Sequence, residues 1–157
     1  MRLYAKELTR EDIPFVCHVF EQNRAVLHGR HISPEEWRKA IFGKYADPDE
    51  VHFVIMSGDA PAAWLKLNGL HAPEIWISML AVDQAFQGKG VGRFAIKQAE
   101  QYAKDCAKSA VRVRTTKDNL VAKTCYLNCG YEIVREMIYQ VGDGINREGY
   151  EFRKLII

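Results

Sequence analysis

The hydrophobic period of the chain changes abruptly after Val82, and the change falls on a glycine-rich turn. Ile75 to Val82 is an apolar run of strand length interrupted only by Ser78. Val91, Phe94, Ala95, Ala99, Tyr102, Ala103 and Cys106 then recur at helical spacing. Between them lies Gln87-Gly88-Lys89-Gly90-Val91-Gly92. Glycines let a backbone approach a ligand, and the first amides of a helix lack intrahelical partners, so such a turn is a ready anion site. The alternative is a flexible strand-to-helix connection. Two nucleotide motifs fail on spacing. A G-x-G-x-x-G fingerprint begun at Gly88 needs glycine where Arg93 stands, and the Gly-Lys-Ser/Thr of a P-loop is absent.

The rest of the chain supplies elements in an order that suits one α+β domain over residues 1–157. Arg2 to Leu8 reads as a strand, and Thr9 caps a helix that ends near His28. Ser33-Pro34-Glu35-Glu36 opens a second helix, and Trp37, Ile41 and Tyr45 extend it to about Ala46. Val51–Met56 and Ala62–Leu67 are strands joined at Gly58-Asp59. Val111–Thr115 alternates as a strand, and Asp118 or Asn119 caps a short helix that stops at Gly130. Tyr131–Val141 and Glu148–Ile157 flank Gly142-Asp143-Gly144 as an antiparallel pair. The expected fold is a mixed, mostly antiparallel seven-stranded sheet flanked by about four helices.

Composition removes several classes. Hydrophobic residues make up 48% and charged residues 27%, so disorder and coiled coil are poor readings. No apolar run reaches the roughly 18 residues of a membrane span, and the opening stretch Met1–Glu7 has no apolar region of the secretory kind. Cys17, Cys106, Cys125 and Cys129 are too few and too irregular for a disulfide framework. Cys125 and Cys129 lack partners at zinc spacing, so no metal is expected. A reducing, cytoplasmic setting follows. From Lys89 to Lys123 nine basic residues face three acidic ones, an excess of +6 in a chain of net charge +2. That suits a small polyphosphate ligand, or equally a solvated helix face.

Gln87-x-x-Gly90-x-Gly92 resembles the Gln/Arg-x-x-Gly-x-Gly/Ala signature of the GNAT N-acetyltransferases. Met79-Leu80-Ala81-Val82 is similar to the strand that precedes it in that family, and Asn119-x-x-Ala122-x-x-x-Tyr126-x-x-x-Gly130-Tyr131 to its second block. The element order fits over nearly the whole chain. The resemblance implies transfer of acetyl from acetyl-CoA to a primary amine, small-molecule or peptide, in a ternary complex. It implies a bulge in the strand before the turn, which splays from its parallel neighbour. The implied cofactor contacts are Leu80, Ala81 and Val82 along the pantetheine arm, and Gln87, Gly88, Lys89, Gly90, Val91, Gly92 and Arg93 at the pyrophosphate. Asn119 is a further contact or simply a helix cap. Tyr126 corresponds to the residue that protonates the departing sulfur.

The sequence departs from the family at the proton acceptor. Members with a clear base carry Glu or His on the strand entering the turn, where this chain has Trp76 and Ser78. Glu74 has the same parity and is the candidate carboxylate; a water chain is the alternative. His28 and His31 bracket the loop between the first two helices and, with Trp76 and Ser78, are candidate acceptor contacts. Two rival functions are a catalytically silent CoA-binding sensor and a nucleic-acid module. The second lacks any basic motif interleaved with aromatics. Neither a nucleic-acid nor a membrane partner is expected, whereas a homodimer is possible.

Overall fold

A computed structural model describes residues 2–156. Its strands are β1 (Leu3–Glu7), β2 (Glu50–Ser57), β3 (Ala60–Asn68), β4 (Ile75–Val82), β5 (Ala110–Thr116), β6 (Glu132–Gln140) and β7 (Asn146–Leu155). The helices are α1 (Ile13–Leu27), α2 (Pro34–Ile41), α3 (Val91–Asp105) and α4 (Leu120–Asn128), with 3-10 turns at Arg10–Asp12 and Gln84–Phe86. The sheet runs β1-β2-β3-β4-β5-β7-β6, and every neighbouring pair is antiparallel except β4–β5. The expected seven strands and four helices are present; Ile157, expected to close the last strand, lies outside the described residues.

Local chemistry explains the element ends. Asp12 Oδ2 accepts from Thr9 N (2.8 Å) and Lys6 Nζ (2.6 Å), which fixes the entry to α1. Ser33 and Glu36 form a reciprocal capping box at α2, with Glu36 N donating to Ser33 Oγ at 3.1 Å. That helix ends at Ile41, short of the expected Ala46. Trp37 and Ile41 pack on the α1 cluster, whereas Tyr45 is 66% exposed and has no apolar surface to hold it in a helical turn.

The sheet is covered differently on its two faces. Leu65, Leu67, Ile75, Ile77, Val111, Val113 and Phe152 pack with Ile96 and Ala99 of α3 and Tyr126 of α4. On the other face Val54, Trp64 and Ala81 pack with Val16, Val19 and Phe20 of α1 and Trp37 of α2. Fully buried Trp64 donates its indole N–H to His52 Nδ1 at 3.1 Å. The His52 proton therefore sits on Nε2, beside Glu50 Oε1 at 3.1 Å, and burial lowers the imidazole pKa.

Candidate active site

The ladder between β3 and β4 pairs Lys66 with Met79 and then Leu67 with Ile77, so Ser78 is an extra residue on β4. A one-residue bulge exchanges the two faces of a strand. Ile75 and Ile77 point to the α3 side before it, and Leu80 and Val82 do so after it. Met79 and Ala81 thus join the α1 side. The period-two reading from Leu80 back through Ser78 and Trp76 to Glu74 fails at this bulge.

Beyond the bulge β4 also leaves β5. Their parallel pairing covers only Ile75–Val111, Trp76–Arg112 and Ile77–Val113. Asp83 N donates to Ala62 O at 2.8 Å, so the alternation of an antiparallel ladder directs the Ala81 peptide groups toward Trp64. Those of Leu80 and Val82 turn away from β3, into the gap between β4 and β5. The gap is a cavity of about 600 Å3, within the range of small-molecule sites.

Pleat alternation divides this cavity. Val113 and Thr115 of β5 face α4, where Asn119, Ala122 and Tyr126 complete the wall. Arg114 faces the opposite way, with Trp76, Trp37 and Tyr139. Thr115 Oγ1 is buried without a hydrogen-bond partner, as is the indole nitrogen of Trp37. Polar groups left so beside a cavity call for a partner within it.

The glycine turn follows β4 in the chain and lies outside the lining of this cavity. Gly88 and Gly90 have φ of +73° and +83°, and nothing lies within 4 Å of where a Cβ would stand at either. Gly90 caps α3, leaving the amides of Val91, Gly92 and Arg93 at an open helix N-terminus. Lys89 and Arg93 are exposed beside it. This cradle fits a pyrophosphate, and the outward backbone of Leu80 and Val82 with the Thr115 hydroxyl fits the amides of a pantetheine arm.

Other expected site residues have different roles. Gln87 Nε2 donates to the Val82 carbonyl at 3.1 Å, and Asn23 Nδ2 does the same from α1. Gln87 therefore pins the end of β4, and only the amide of Val82 is left for a ligand. Asn23 carried no motif and was not foreseeable from sequence. Ala81 is 1% exposed in the α1 core and offers the cavity nothing. The Val91 side chain is likewise buried, so only its amide is available. Asn119 is a true cap, its Oδ1 accepting from Ala122 N at 3.2 Å, and it also lines the cavity.

Glu74 is corrected as the candidate base. Its oxygens accept from Arg153 Nε (2.7 Å) and Arg112 Nε (3.2 Å), and it does not line the cavity. Burial alone would raise its pKa, but the two guanidiniums outweigh that and hold it below the ordinary value. Such a carboxylate is a weak proton acceptor. The histidines are also corrected. His28 Nε2 bonds Asp118 Oδ2 at 2.8 Å, and His31 Nδ1 bonds Glu21 Oε1 at 2.8 Å; neither lines the cavity. The His28 carbonyl instead accepts from Asp143 N at 2.8 Å, which ties the α1–α2 loop to the β6–β7 hairpin across the cavity. Trp76 and Ser78 do line it. Tyr126 is 4% exposed and borders the cavity from α4, and burial with nearby Cys125 and Cys129 pushes its phenol far above the ordinary pKa.

Residues 18–131 match the model of the Acetyltransferase (GNAT) family. The chain is 22% identical to an uncharacterized N-acetyltransferase in the pepI 3′ region of Lactobacillus delbrueckii subsp. lactis, over 87% of this chain and 88% of that protein. Its fold is similar to spermidine N-acetyltransferase from Vibrio cholerae in complex with CoA and spermine, at a TM-score of 0.83 and 18% identity over 98% and 95% of the two chains. It is also similar to the ribosomal-protein-S18-alanine N-acetyltransferase of Escherichia coli, at 0.74 and 16% over 99% and 94%. A family model that spans the bulge, the splay, the glycine turn and the Tyr126 helix leaves one assignment: the chain belongs to the GNAT acetyltransferase family.

Proposed function

We propose that residues 1–157 form a single-domain acyltransferase that moves acetyl from acetyl-CoA to a primary amine by direct attack in a ternary complex. The observation that carries this reading is the splay itself. Its cavity is lined by Leu80 and Tyr126, and the glycine turn with its open helix amides follows β4 in the chain. When bound, acetyl-CoA supplies a thioester activated for acyl transfer.

The chain's own residues bind, orient and hold protons. The amides of Gly88 to Gly92 and the charges of Lys89 and Arg93 hold the pyrophosphate, while Leu80 and Val82 align the pantetheine arm. Burial raises the Tyr126 phenol above its ordinary pKa, which suits a proton donor and not a base. Its elevated pKa favours a hydrogen bond to the leaving sulfur over complete transfer, since an ordinary thiol titrates near 8.5. Among the described residues no Asp, Glu or His lines the cavity. The acceptor ammonium therefore loses its proton to water, helped by the hydroxyls of Ser78, Thr116 and Tyr139. Two acceptor-side walls, Trp76 and Tyr139, orient the amine.

The missing side-chain base also favours a second reading, a CoA-binding sensor without turnover. Release of CoA thiol is measured with acetyl-CoA and a panel of primary amines. The proposal expects release with at least one amine and a rate that rises with pH as the acceptor becomes neutral. Thermal stabilisation by acetyl-CoA with no thiol release from any amine would leave the sensor.

A further inference from the structure

Charge is distributed unevenly around the cavity. Its two charged lining residues are Arg30 and Arg114. Arg30 is occupied: Nη2 donates to Glu36 Oε2 at 2.9 Å and Nη1 to the His31 carbonyl at 3.0 Å. Arg114 is held but not occupied. Its Nε donates to Glu151 Oε1 at 3.1 Å, and its guanidinium carbon lies 4.9 Å from the centre of the Trp76 ring. Among the described residues the paired Nη groups have no hydrogen-bond partner.

The anchor of Arg114 is itself fixed. The Glu151 side chain is 6% exposed and also accepts from Arg112 Nη1 (2.8 Å) and Arg135 Nη2 (3.1 Å). Glu74 lies between Arg112 and Arg153, so four guanidiniums share two carboxylates and two positive charges remain over. Arg114 is the member of that cluster that reaches the cavity. Opposite it, the Tyr139 ring lies across Gly149, where any Cβ would collide with the ring. The one missing side chain leaves room for that aromatic ring in the cavity wall.

A rigid guanidinium with a free planar pair of donors matches a carboxylate bidentately. The same uncompensated charge repels a polycation. We infer that the acceptor is a free amino acid, and that Arg114 binds its carboxylate while Trp76 and Tyr139 flank it. This rests on the acetyltransferase reading and narrows its acceptor.

The test compares L-amino acids with their carboxamides and with spermidine. Thiol release gives kcat/KM, and calorimetry on the CoA-loaded protein gives affinity. The best acid should exceed its carboxamide roughly 10- to 100-fold in both, as expected for a charged bidentate contact. The amide's amine is less basic and more often neutral, so this preference runs against intrinsic reactivity. Arg114→Gln should bring the ratio to within about threefold. Arg135→Gln removes another partner of Glu151 and should keep the ratio, which separates recognition from damage to the cluster. Carboxamides or spermidine used as well as the acids overturn the inference and leave the acetyltransferase reading intact. So does an unchanged ratio in folded Arg114→Gln, or the absence of binding by every acid. Acid binding that depends on Arg114, without turnover of any amine, upholds the inference and removes the acetyltransferase reading.

Discussion

The two halves of the sheet are held by different forces. In β2–β4 both faces are apolar, with Ile55, Leu65 and Ile77 packed toward α3 and Val54, Trp64 and Ala81 toward α1. In β5 and β7 one face is apolar, through Val111, Val113 and Phe152, while the other carries Arg112, Arg114, Glu151 and Arg153 in ion pairs. The halves join through three parallel residue pairs. So short a join lets the strands diverge while each half keeps its own support. The opening inherits a wall of unpaired backbone from one half and a wall of oriented charge from the other. The cofactor reading depends on the first wall, and the acceptor inference on the second.

The largest effect is expected at the glycine turn, the proposed cofactor cradle. Gly90→Val puts a β-branched residue at φ +83°, a conformation that L residues rarely adopt, and crowds the space where a Cβ now meets nothing. Acetyl-CoA affinity should fall at least about 100-fold, the sum of backbone strain and lost approach. Thermal shift with acetyl-CoA checks this; an unchanged shift would detach the cradle from the reading.

The charged half is probed by Glu151→Gln. Burial would raise the pKa of Glu151, but hydrogen bonding to Arg114 and the charges of Arg135 and Arg114 hold it below the ordinary value. Its folded pKa lies below its unfolded one, so its contribution is present above the unfolded carboxylate value of about 4.3 and fades as pH falls through the folded pKa. Removing the charge leaves three guanidiniums that are 24%, 38% and 53% exposed, so screening limits the cost. A loss of about 2 kcal/mol, or a Tm lower by roughly 5 °C at neutral pH, is expected. The variant and the wild type should converge in acid. A constant gap down to the lowest pH at which both fold would deny the ion pairs their role.

A comparable effect, read on rate and not on affinity or stability, is expected at Tyr126. Tyr126→Phe keeps its edge contact with Tyr131, with ring centres 5.5 Å apart, and deletes only the hydroxyl. Its kcat should fall by roughly tenfold to a few hundredfold with acetyl-CoA affinity little changed. Loss of affinity at constant kcat would make Tyr126 a cofactor contact instead. The smallest effect belongs to Glu74→Gln, whose pH–rate profile should follow that of the wild type, because the residue faces two arginines and not the cavity. A selective loss of rate below the acceptor's pKa would restore Glu74 as the base.

The proposed cofactor wall is legible in the sequence because it is local. Gln87 to Gly92, the strand before it and the Asn119–Tyr131 block are contiguous stretches whose spacing carries the chemistry. Even there, the side-chain amide of Gln87 also holds the Val82 carbonyl, a contact across five residues that spacing does not reveal. The acceptor wall is legible only in part: Trp76 and Ser78 are candidates from the strand alone, whereas the charged side of the wall is not. Arg114, Glu151 and Tyr139 come from three strands and meet through the β5-β7-β6 order. Parity places Glu74 on the face of Leu80 and Val82 only along an unbroken period of two, and the Ser78 bulge breaks that period. Charged residues alternating along β5 and β7 read equally well as a solvated face until the pairing of Arg114 with Glu151 is known.

On the proposed reading the cofactor lies in the splay against the outward backbone of β4. Amide hydrogen exchange with and without acetyl-CoA tests it most directly. Slowed exchange is expected at Leu80 and Val82 and across Gly88 to Arg93, with β1 and β2 unchanged. Protection confined to other segments, or none at Leu80 and Val82 when acetyl-CoA is bound, would contradict it.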